Sequence, residues 1–327
     1  MKKNIIITGG MGYIGSHIYV ELFNQYNAII IDNLCNSKED ALQSFPGYVF
    51  HNIDLLNKDD LDFVFVMYKP YAVIHLAGLK SVNESIDNPL VYYQNNLITT
   101  INLIEMMDKH KCYNLIFSSS ATVYGDERSP LNEGINIGSN ISHPYGQTKY
   151  MNEIMLENIC KSNNKFNIVS LRYFNPVGAH KSRLIGENPN NQLNNIMPAL
   201  MNSIINQTVF KIYGNNYDTP DGTCIRDFIH VIDLAKCHLV VLNNIDKLCG
   251  YHYYNSGTGI GTSIMQLINT FEKENNIKIK YEIVDRRSGD IDVSYCNPNK
   301  IFKELGWKSE LGLDDMCIDS WNYFINY

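Results

Sequence analysis

The sequence has little positive charge and no long apolar run. Its 327 residues carry 27 lysines and arginines against 34 aspartates and glutamates, a formal net charge of −7. This balance leaves no broad basic face, which argues against a nucleic-acid-binding protein. No uninterrupted apolar run approaches the roughly 18 residues of a membrane-spanning helix. We therefore expect neither a nucleic-acid partner nor a membrane segment.

The sequence also lacks a Cys-x-x-Cys motif, although it contains eight cysteines. Zinc binding and dithiol redox chemistry therefore have no motif to support them, and we expect no metal. The short apolar run at 5–7, behind two lysines, is too short for a secretory signal peptide. Scattered, unpaired thiols are typical of the reducing cytosol, so the sequence predicts a cytoplasmic protein.

Apolar runs alternate with helical patterns through the first half of the chain. The strand-like runs cover 4–8, 28–31, 71–76, 114–118 and 167–171, and the helical patterns cover 61–68, 90–107 and 145–160. Continuous apolar strands separated by helices predict an α/β fold with a doubly wound parallel sheet of the Rossmann type. The rhythm breaks after about residue 172, which indicates a smaller α+β domain. The length also favours two domains, at roughly 150 residues each.

Three glycines directly follow the first predicted strand. Gly9, Gly12 and Gly15 are spaced by three residues and precede a helix, where a tight turn and the positive end of the helix dipole can hold a pyrophosphate. Asp32 ends the second strand, and a carboxylate there can bind the ribose hydroxyls of NAD and repel the 2′-phosphate of NADP. The pattern therefore favours NAD, the alternative being a plain turn with a solvated Asp32.

Tyr145 and Lys149 lie one turn apart on a predicted helix, and Ser120 follows the fifth strand. The lysine ammonium favours the phenolate form of the tyrosine and so makes it a better base at neutral pH. Ser120 lies where a doubly wound sheet places its ligands. Separately, such residues are most often an ordinary surface pair and a turn; together with the glycine loop they indicate a catalytic site.

These motifs and others resemble the extended short-chain dehydrogenase/reductase family, and within it the UDP-galactose (UDP-glucose) 4-epimerases. The matching phrases include TGGMGYIGSH at 8–17, SSSATVYG at 118–125, YGQTK at 145–149, RYFNPVGAH at 172–180, TCIRDFIHV at 223–231 and RSGD at 287–290. They extend through nearly the whole chain. The resemblance implies an NAD-dependent isomerase that inverts C4 of UDP-hexoses through a transient 4-keto sugar.

The resemblance also implies a role for each matching residue. The catalytic residues would be Ser120, Tyr145 and Lys149. The same three would contact NAD, together with Gly9, Gly12, Tyr13, Ile14, Gly15, Asp32, Asn33, Asn36, Ser37, Asp54, Leu55, Leu76, Ala77, Gly78, Lys80, Asn95 and Phe174. The UDP-sugar would be bound by Lys80, Ser120, Tyr145, Asn175, Asn195, Tyr213, Arg226, Arg287, Asp290 and Ser294. Residues 1–174 would form the NAD-binding domain and 175–327 the UDP-sugar-binding domain, with a segment near 225–255 returning to the first.

Two further expectations follow. The predicted helix 90–107 is apolar on more than one face, which with the resemblance predicts a homodimer built from it and the helix 145–160. The alternative is a helix that is simply more apolar than covering a sheet requires. Ser294 is the fourth residue after Asp290, a position that in relatives lies beside the C2 substituent of the sugar. A small residue there predicts activity on UDP-N-acetylglucosamine and UDP-N-acetylgalactosamine, unless the register slips and Tyr295 takes the position.

Three other functions compete with epimerisation. A nucleotide-sugar 4,6-dehydratase of the family would carry an acidic pair where this chain has Ala121 and Thr122. A UDP-glucuronate decarboxylase would carry a glutamate near Thr122. A non-catalytic NAD-sensing protein would have lost Tyr145 or Lys149, and both are present.

Overall fold

The computed structural model describes residues 2–45, 47–188, 195–287 and 289–326. They form two compact units. Unit 1 comprises the chain up to 125, 136–172 and 235–254, and unit 2 comprises 126–135, 173–234 and the chain from 255. The domain boundaries predicted from the sequence remain a prediction; the units differ from them in placing 126–135 and 173–174 with the second half, and the segment that returns to the first is 235–254.

The strands are β1 (Asn4–Thr8), β2 (Asn27–Asp32), β3 (Val49–Asn52), β4 (Ala72–His75), β5 (Asn114–Ser120), β6 (Asn167–Tyr173), β7 (Asn175–Val177), β8 (Phe210–Tyr213), β9 (Ile225–His230), β10 (Gly250–Ser256), β11 (Gly261–Ser263), β12 (Tyr281–Val284) and β13 (Val293–Ser294). The helices are α1 (Tyr13–Leu22), α2 (Lys58–Tyr68), α3 (Val82–Asp87), α4 (Pro89–Lys109), α5 (Pro144–Ser162), α6 (Ile196–Ile205), α7 (Val231–Asn244), α8 (Ile264–Asn275), α9 (Asn299–Leu305) and α10 (Leu313–Phe324).

Unit 1 is built on a seven-stranded sheet with the order β10-β6-β5-β4-β1-β2-β3. The pairs β1–β2, β1–β4, β2–β3 and β4–β5 are parallel. Ile5, Ile6 and Ile7 point to alternating faces of β1, and all three are fully buried because helices cover both faces of the sheet. The order reverses direction at β1, as in a doubly wound fold. The α/β fold class expected from the sequence is confirmed.

Unit 2 contains a small sheet with the order β11-β9-β13, with β7 beside β9, and a second pair formed by β12 and β8. Its core is formed by α6, α8 and α10 against these strands, with Leu200, Leu267 and Phe271 fully buried. Helix α8 begins with a capping box between Ser263 and Gln266, which satisfies its first backbone N–H groups. Among the described residues, no helix is long and apolar enough to cross a membrane.

Candidate functional site

In the glycine loop between β1 and α1, Gly9 and Gly15 lie so close to neighbouring backbone that neither position can carry a side chain. A Cβ at Gly15 would lie 2.5 Å from the carbonyl oxygen of Gly9, and one at Gly9 would lie 2.8 Å from the amide nitrogen of Ala77. Gly9 also has a positive φ of 69°. Helix α1 begins after Gly12, which has no side chain to cap it. The loop is thus an open cradle at a helix N-terminus, which fits the pyrophosphate of a dinucleotide.

Asp32 ties this loop to the segment after β2. It is buried; one carboxylate oxygen accepts from the amide of Met11 at 3.1 Å, and the other accepts from the amide of Leu34 and the hydroxyl of Ser37, both at 2.9 Å. The alternative of a solvated aspartate is therefore excluded. A carboxylate has about four acceptor positions, so Asp32 retains capacity for a ribose hydroxyl. The structure fits NAD at this position.

The neighbouring strand ends are held by side-chain amides. At the end of β3, Asp54 accepts from Asn33 at 3.2 Å. After β4, the segment that contains Gly78 is fixed by Asn96, which accepts from the amide of Leu79 at 2.8 Å and donates to its carbonyl at 3.0 Å. The expected dinucleotide contacts around β1, β2, β3 and β4 thus lie on loops that the chain itself holds in place.

Ser120, Tyr145 and Lys149 come together in unit 1. The hydroxyl of Ser120, at the end of β5, is hydrogen-bonded to Tyr145 near the start of α5. The ammonium of Lys149 lies 5.9 Å from the centre of the Tyr145 ring and donates to the carbonyl of Ser118 at 2.6 Å. Gly146 allows the start of α5 to approach the turn that follows Ser120, because a Cβ at position 146 would lie 3.3 Å from Cβ of Thr122 in that turn.

The pKa of Tyr145 is shifted in the direction opposite to the one expected from the sequence. Burial raises the pKa of Tyr145, and the hydrogen bond from Ser120 only partly opposes the rise. Burial also lowers the pKa of Lys149 to about 8, against the attraction of Glu153. Because the ammonium of Lys149 donates to the carbonyl of Ser118, its attraction for the phenolate of Tyr145 is weaker than the cost of desolvating that phenolate in the cofactor-free protein.

His143 is a residue of this site that sequence reasoning missed. Its Nδ1 accepts from the amide of Gly146 at 3.0 Å and so caps α5, and its ring lies nearly parallel to that of Tyr145, with centroids 5.9 Å apart. A polar residue before Pro144, the first residue of the helix, was the signal available in the sequence.

In unit 2, the expected UDP-binding residues form two pairs. Arg226 donates to the carboxylate of Asp290 at 3.2 Å. The guanidinium of Arg287 lies 3.9 Å from the centre of the Tyr213 ring, a cation–π contact. Arg226 is half-buried and Arg287 is exposed, so both are accessible as forked donors for a diphosphate. Tyr213, one of the residues expected to bind the UDP-sugar, thus also holds Arg287 in place.

The remaining expected residues of unit 2 have mixed positions. The side chain of Asn175 donates to the carbonyl of Asp227 at 3.1 Å, and Asn195 donates to Glu187. Phe174, expected to contact NAD, is part of unit 2 and not of unit 1. All other expected NAD contacts belong to unit 1, and so do Lys80, Ser120 and Tyr145 of the expected sugar contacts.

Strand β13 carries Ser294 and pairs with β9, which carries Arg226. Ser294 is the register partner of Arg226 across the parallel pair β13–β9. The next residue, Tyr295, points elsewhere: a Cβ built at Gly261 of β11 would lie 3.1 Å from its ring. Ser294 is small and buried. The pairing puts Ser294 opposite Arg226, and the place of Ser294 beside the sugar stays a prediction.

Comparison with known proteins gives one consistent family. Residues 5–257 match the NAD dependent epimerase/dehydratase family. The chain is 44% identical to the UDP-glucose 4-epimerase of Dictyostelium discoideum, with 99% of this chain and 96% of the relative covered. It is 45% identical to the UDP-glucose 4-epimerase of Haemophilus influenzae, with 98% and 96% covered.

Solved structures agree in fold over the whole chain. The UDP-glucose 4-epimerase of Bifidobacterium longum in complex with NAD+ and UDP has a TM-score of 0.94 at 41% identity, with 99% of this chain and 98% of that chain covered. The UDP-Glc/GlcNAc 4-epimerase of Campylobacter jejuni has a TM-score of 0.84 at 31% identity, with 99% and 100% covered.

Proposed function

The chain belongs to the NAD dependent epimerase/dehydratase family, and on that premise we propose that it interconverts UDP-glucose and UDP-galactose by inverting C4 of the hexose. It is an NAD-dependent isomerase. The observation that carries the proposal is the hydrogen-bonded pair of Ser120 and Tyr145 beside the buried ammonium of Lys149. Together they can take and return the proton of a sugar hydroxyl.

Tyr145 holds the transferred proton at its phenolic oxygen. Ser120 donates a hydrogen bond to that oxygen, which stabilises the phenolate. Lys149 keeps a positive charge close to the ring, and its fixed bond to Ser118 prevents it from moving away. The glycine loop and Asp32 would hold NAD, which would accept the hydride from C4 and return it.

Groups of unit 2 bind the nucleotide part of the substrate. Arg226 and Arg287 neutralise the diphosphate, and Asp290 accepts from the ribose of uridine. Because these charged contacts go to UDP and not to the hexose, the sugar can turn and present either face of C4. We expect the enzyme in the cytoplasm, since none of its eight cysteines forms a disulfide.

The test is conversion of UDP-galactose to UDP-glucose without net formation of NADH. Tyr145→Phe removes the base and retains the ring, so turnover should fall by about 10²- to 10⁴-fold, the usual contribution of a general base. NAD should stay bound to the variant. Retention of more than roughly a tenth of the wild-type rate would exclude Tyr145 as the base. Loss of water from UDP-galactose to give a 4-keto-6-deoxy sugar, or release of carbon dioxide from UDP-glucuronate in a parallel assay, would point to one of the competing family reactions.

We further propose that N-acetylated UDP-hexoses are substrates. Support comes from the small side chain of Ser294 level with Arg226, and from Tyr295 packing against Gly261. Ser294→Tyr should abolish turnover of UDP-N-acetylgalactosamine while sparing UDP-galactose, because the added ring fills the space for the acetyl group. Ser294→Ala is the control and should leave both rates unchanged. A wild-type enzyme without N-acetyl activity would remove this proposal and leave the 4-epimerase function intact.

We also propose a homodimer formed through α4 and α5. These helices present apolar side chains to solvent: Ile98 and Ile101 on α4 are 42% and 39% exposed, and Met151 and Ile154 on α5 are 41% and 40% exposed. Ile154→Asp should yield a monomer in light scattering. The control is Val66→Asp on α2, where an equally apolar residue is 56% exposed. A wild-type monomer in dilute solution would refute the proposal.

A further inference from the structure

A buried ion pair in unit 1 lies between α5, which carries Tyr145, and the turn that follows Ser120. Arg172 of β6 binds Glu153 of α5 through two parallel hydrogen bonds, Nε to Oε1 at 3.0 Å and Nη2 to Oε2 at 2.7 Å. Both side chains are only 2% exposed. The hydroxyl of Ser119, the neighbour of Ser120, also donates to Glu153, at 2.5 Å. Glu153 is therefore fixed from two strands at once.

Arg172 also holds the turn that follows Ser120. Its Nη1 donates to the phenolic oxygen of Tyr124 at 2.9 Å. The guanidinium lies 4.9 Å from the centre of the Tyr124 ring and 4.5 Å from the centre of the Tyr253 ring. Tyr124 ends the short helical turn that begins after Ser120. One guanidinium thus connects α5 to the serine turn.

The spacing along α5 makes this connection relevant to the chemistry. Tyr145, Lys149 and Glu153 follow one another at four-residue intervals and so lie on one face of the helix. Removing two charges from water is costly, and a well-packed apolar pair at such a position is often at least as stable. Stability alone therefore does not explain a buried ion pair here, whereas precise placement does.

We propose that Arg172 and Glu153 are positioning residues that fix the distance between Ser120 and Tyr145 for proton transfer. Arg172 does this by binding the helix of Tyr145 through Glu153 and the turn of Ser120 through Tyr124. The inference rests on the proposed function, because it assigns the proton transfer to this pair. Neither residue needs to touch substrate or cofactor.

The same arrangement acts on Lys149 through charge. The ionisable groups that face Lys149 are Tyr145 and Glu153 from α5 and His75 from β4. Burial keeps His75 neutral, since it lowers the pKa of that imidazole to about 3. Glu153 is the group that raises the pKa of Lys149 against burial. Its neutralisation should therefore move the alkaline loss of turnover to lower pH.

The test uses three variants and one matched control, assayed on UDP-galactose. Glu153→Gln and Arg172→Lys should each lower kcat by about 100-fold with KM nearly unchanged, the expected cost of a misplacement of roughly 1 Å. Only Glu153→Gln should shift the alkaline limb downward, because Arg172→Lys retains both charges. The control is Glu157→Gln, one turn further along α5, where the glutamate is 47% exposed and pairs with Lys161. Glu157→Gln should change neither kcat nor the pH of the alkaline limb.

Tyr124→Phe keeps the test valid if a charge variant does not fold. It removes one oxygen and no charge, and it breaks the hydrogen bond from Arg172 to Tyr124 while the ring contact remains, so kcat should fall by about tenfold with KM unchanged. Wild-type-like kcat in Tyr124→Phe and in the charge variants that fold, with an unmoved alkaline limb, would overturn the proposal. Failure of the proposed function is distinct, because the wild type itself would then not convert UDP-galactose.

Discussion

Replacement of Lys149 by methionine should stabilise the protein while it removes activity. Lys149 is 6% exposed, and its ammonium donates to the carbonyl of Ser118 at 2.6 Å. Methionine has a similar length and no charge, so it fits the same space without the cost of burying an ammonium. Loss of the ammonium also removes the positive charge near Tyr145, so turnover and NAD retention should both decrease.

The magnitude follows from the pKa. Burial lowers the pKa of Lys149 from 10.5 to about 8, and one pKa unit corresponds to about 1.4 kcal/mol, so the buried charge costs roughly 3 kcal/mol at pH 7. The variant loses the hydrogen bond to Ser118, which contributes about 1 kcal/mol. The free energy of unfolding of Lys149→Met should therefore exceed that of the wild type by roughly 2 kcal/mol at pH 7.

The difference should depend on pH in one direction. Because the folded pKa lies below the unfolded value, the unfolded wild type binds more protons between about pH 8 and 10.5. Wild-type stability should therefore gain from this group as the pH rises through that window, whereas Lys149→Met has no such gain. The advantage of the variant should be fully present below pH 8 and should disappear near pH 10.5.

Denaturant unfolding of the cofactor-free proteins at several pH values measures the effect. Lys161→Met is the control, since Lys161 lies in the last turn of the same helix and is 65% exposed beside Glu157. Its effect should stay within about 0.5 kcal/mol at every pH. A variant at position 149 that is less stable than the wild type at pH 7, or a difference constant up to pH 10.5, would refute the reasoning.

Three further predictions concern the cofactor loop and the start of α5. Asp32→Ala should relax the preference for NAD over NADP, measured by cofactor binding; a wild type that purifies with NADP would contradict this. Gly15→Ala should lower the free energy of unfolding by roughly 1–3 kcal/mol and weaken NAD binding. Gly12→Ala should have a smaller effect on both, since its Cβ would lie 3.2 Å from the nearest atom; equal effects of the two variants would contradict this. His143→Ala should cost about 1 kcal/mol by loss of the cap. Because burial lowers the pKa of His143, the stability from its neutral form should decline as the pH falls below 6.5, and His143→Ala should remove this dependence; an unchanged pH profile would contradict it.

The fold could be predicted where the sequence pattern is determined by burial on both faces. The run Ile5–Ile7 has no polar alternation, and that is the mark of a strand covered by helices on both sides. The pattern fails at the sheet edges. Strand β3 reads VFHN and β10 reads GYHYYNS, and neither is a continuous apolar run because edge strands are only half covered. Neither strand is among those predicted from the sequence.

The catalytic residues could be identified because spacing carries their chemistry. Glycines at a strand–helix turn and an i, i+4 pair of Tyr145 and Lys149 are local patterns. The direction of the pKa of Tyr145 was not accessible in this way, since it depends on how much water the folded protein removes and on where the ammonium of Lys149 points. Burial depends on the packing of the whole unit, and the ammonium is held by the carbonyl of Ser118, which lies on β5 and not on the helix of Tyr145.

Glu153 and Arg172 show why the remaining part of the site could not be read from the sequence. Glu153 by itself resembles any polar residue on a surface helix, and Arg172 resembles a charge at a strand end. Only the pairing of β6 with the sheet and of α5 with β5 makes them bury each other. A charge pair of this kind is acceptable only when its polar atoms have partners, and here each guanidinium nitrogen and each carboxylate oxygen has one, with Ser119 and Tyr124 supplying the contacts outside the pair. The residues that supply these contacts are neighbours of Ser120, so the condition for burying the ion pair and the condition for placing the catalytic serine are met by the same contacts.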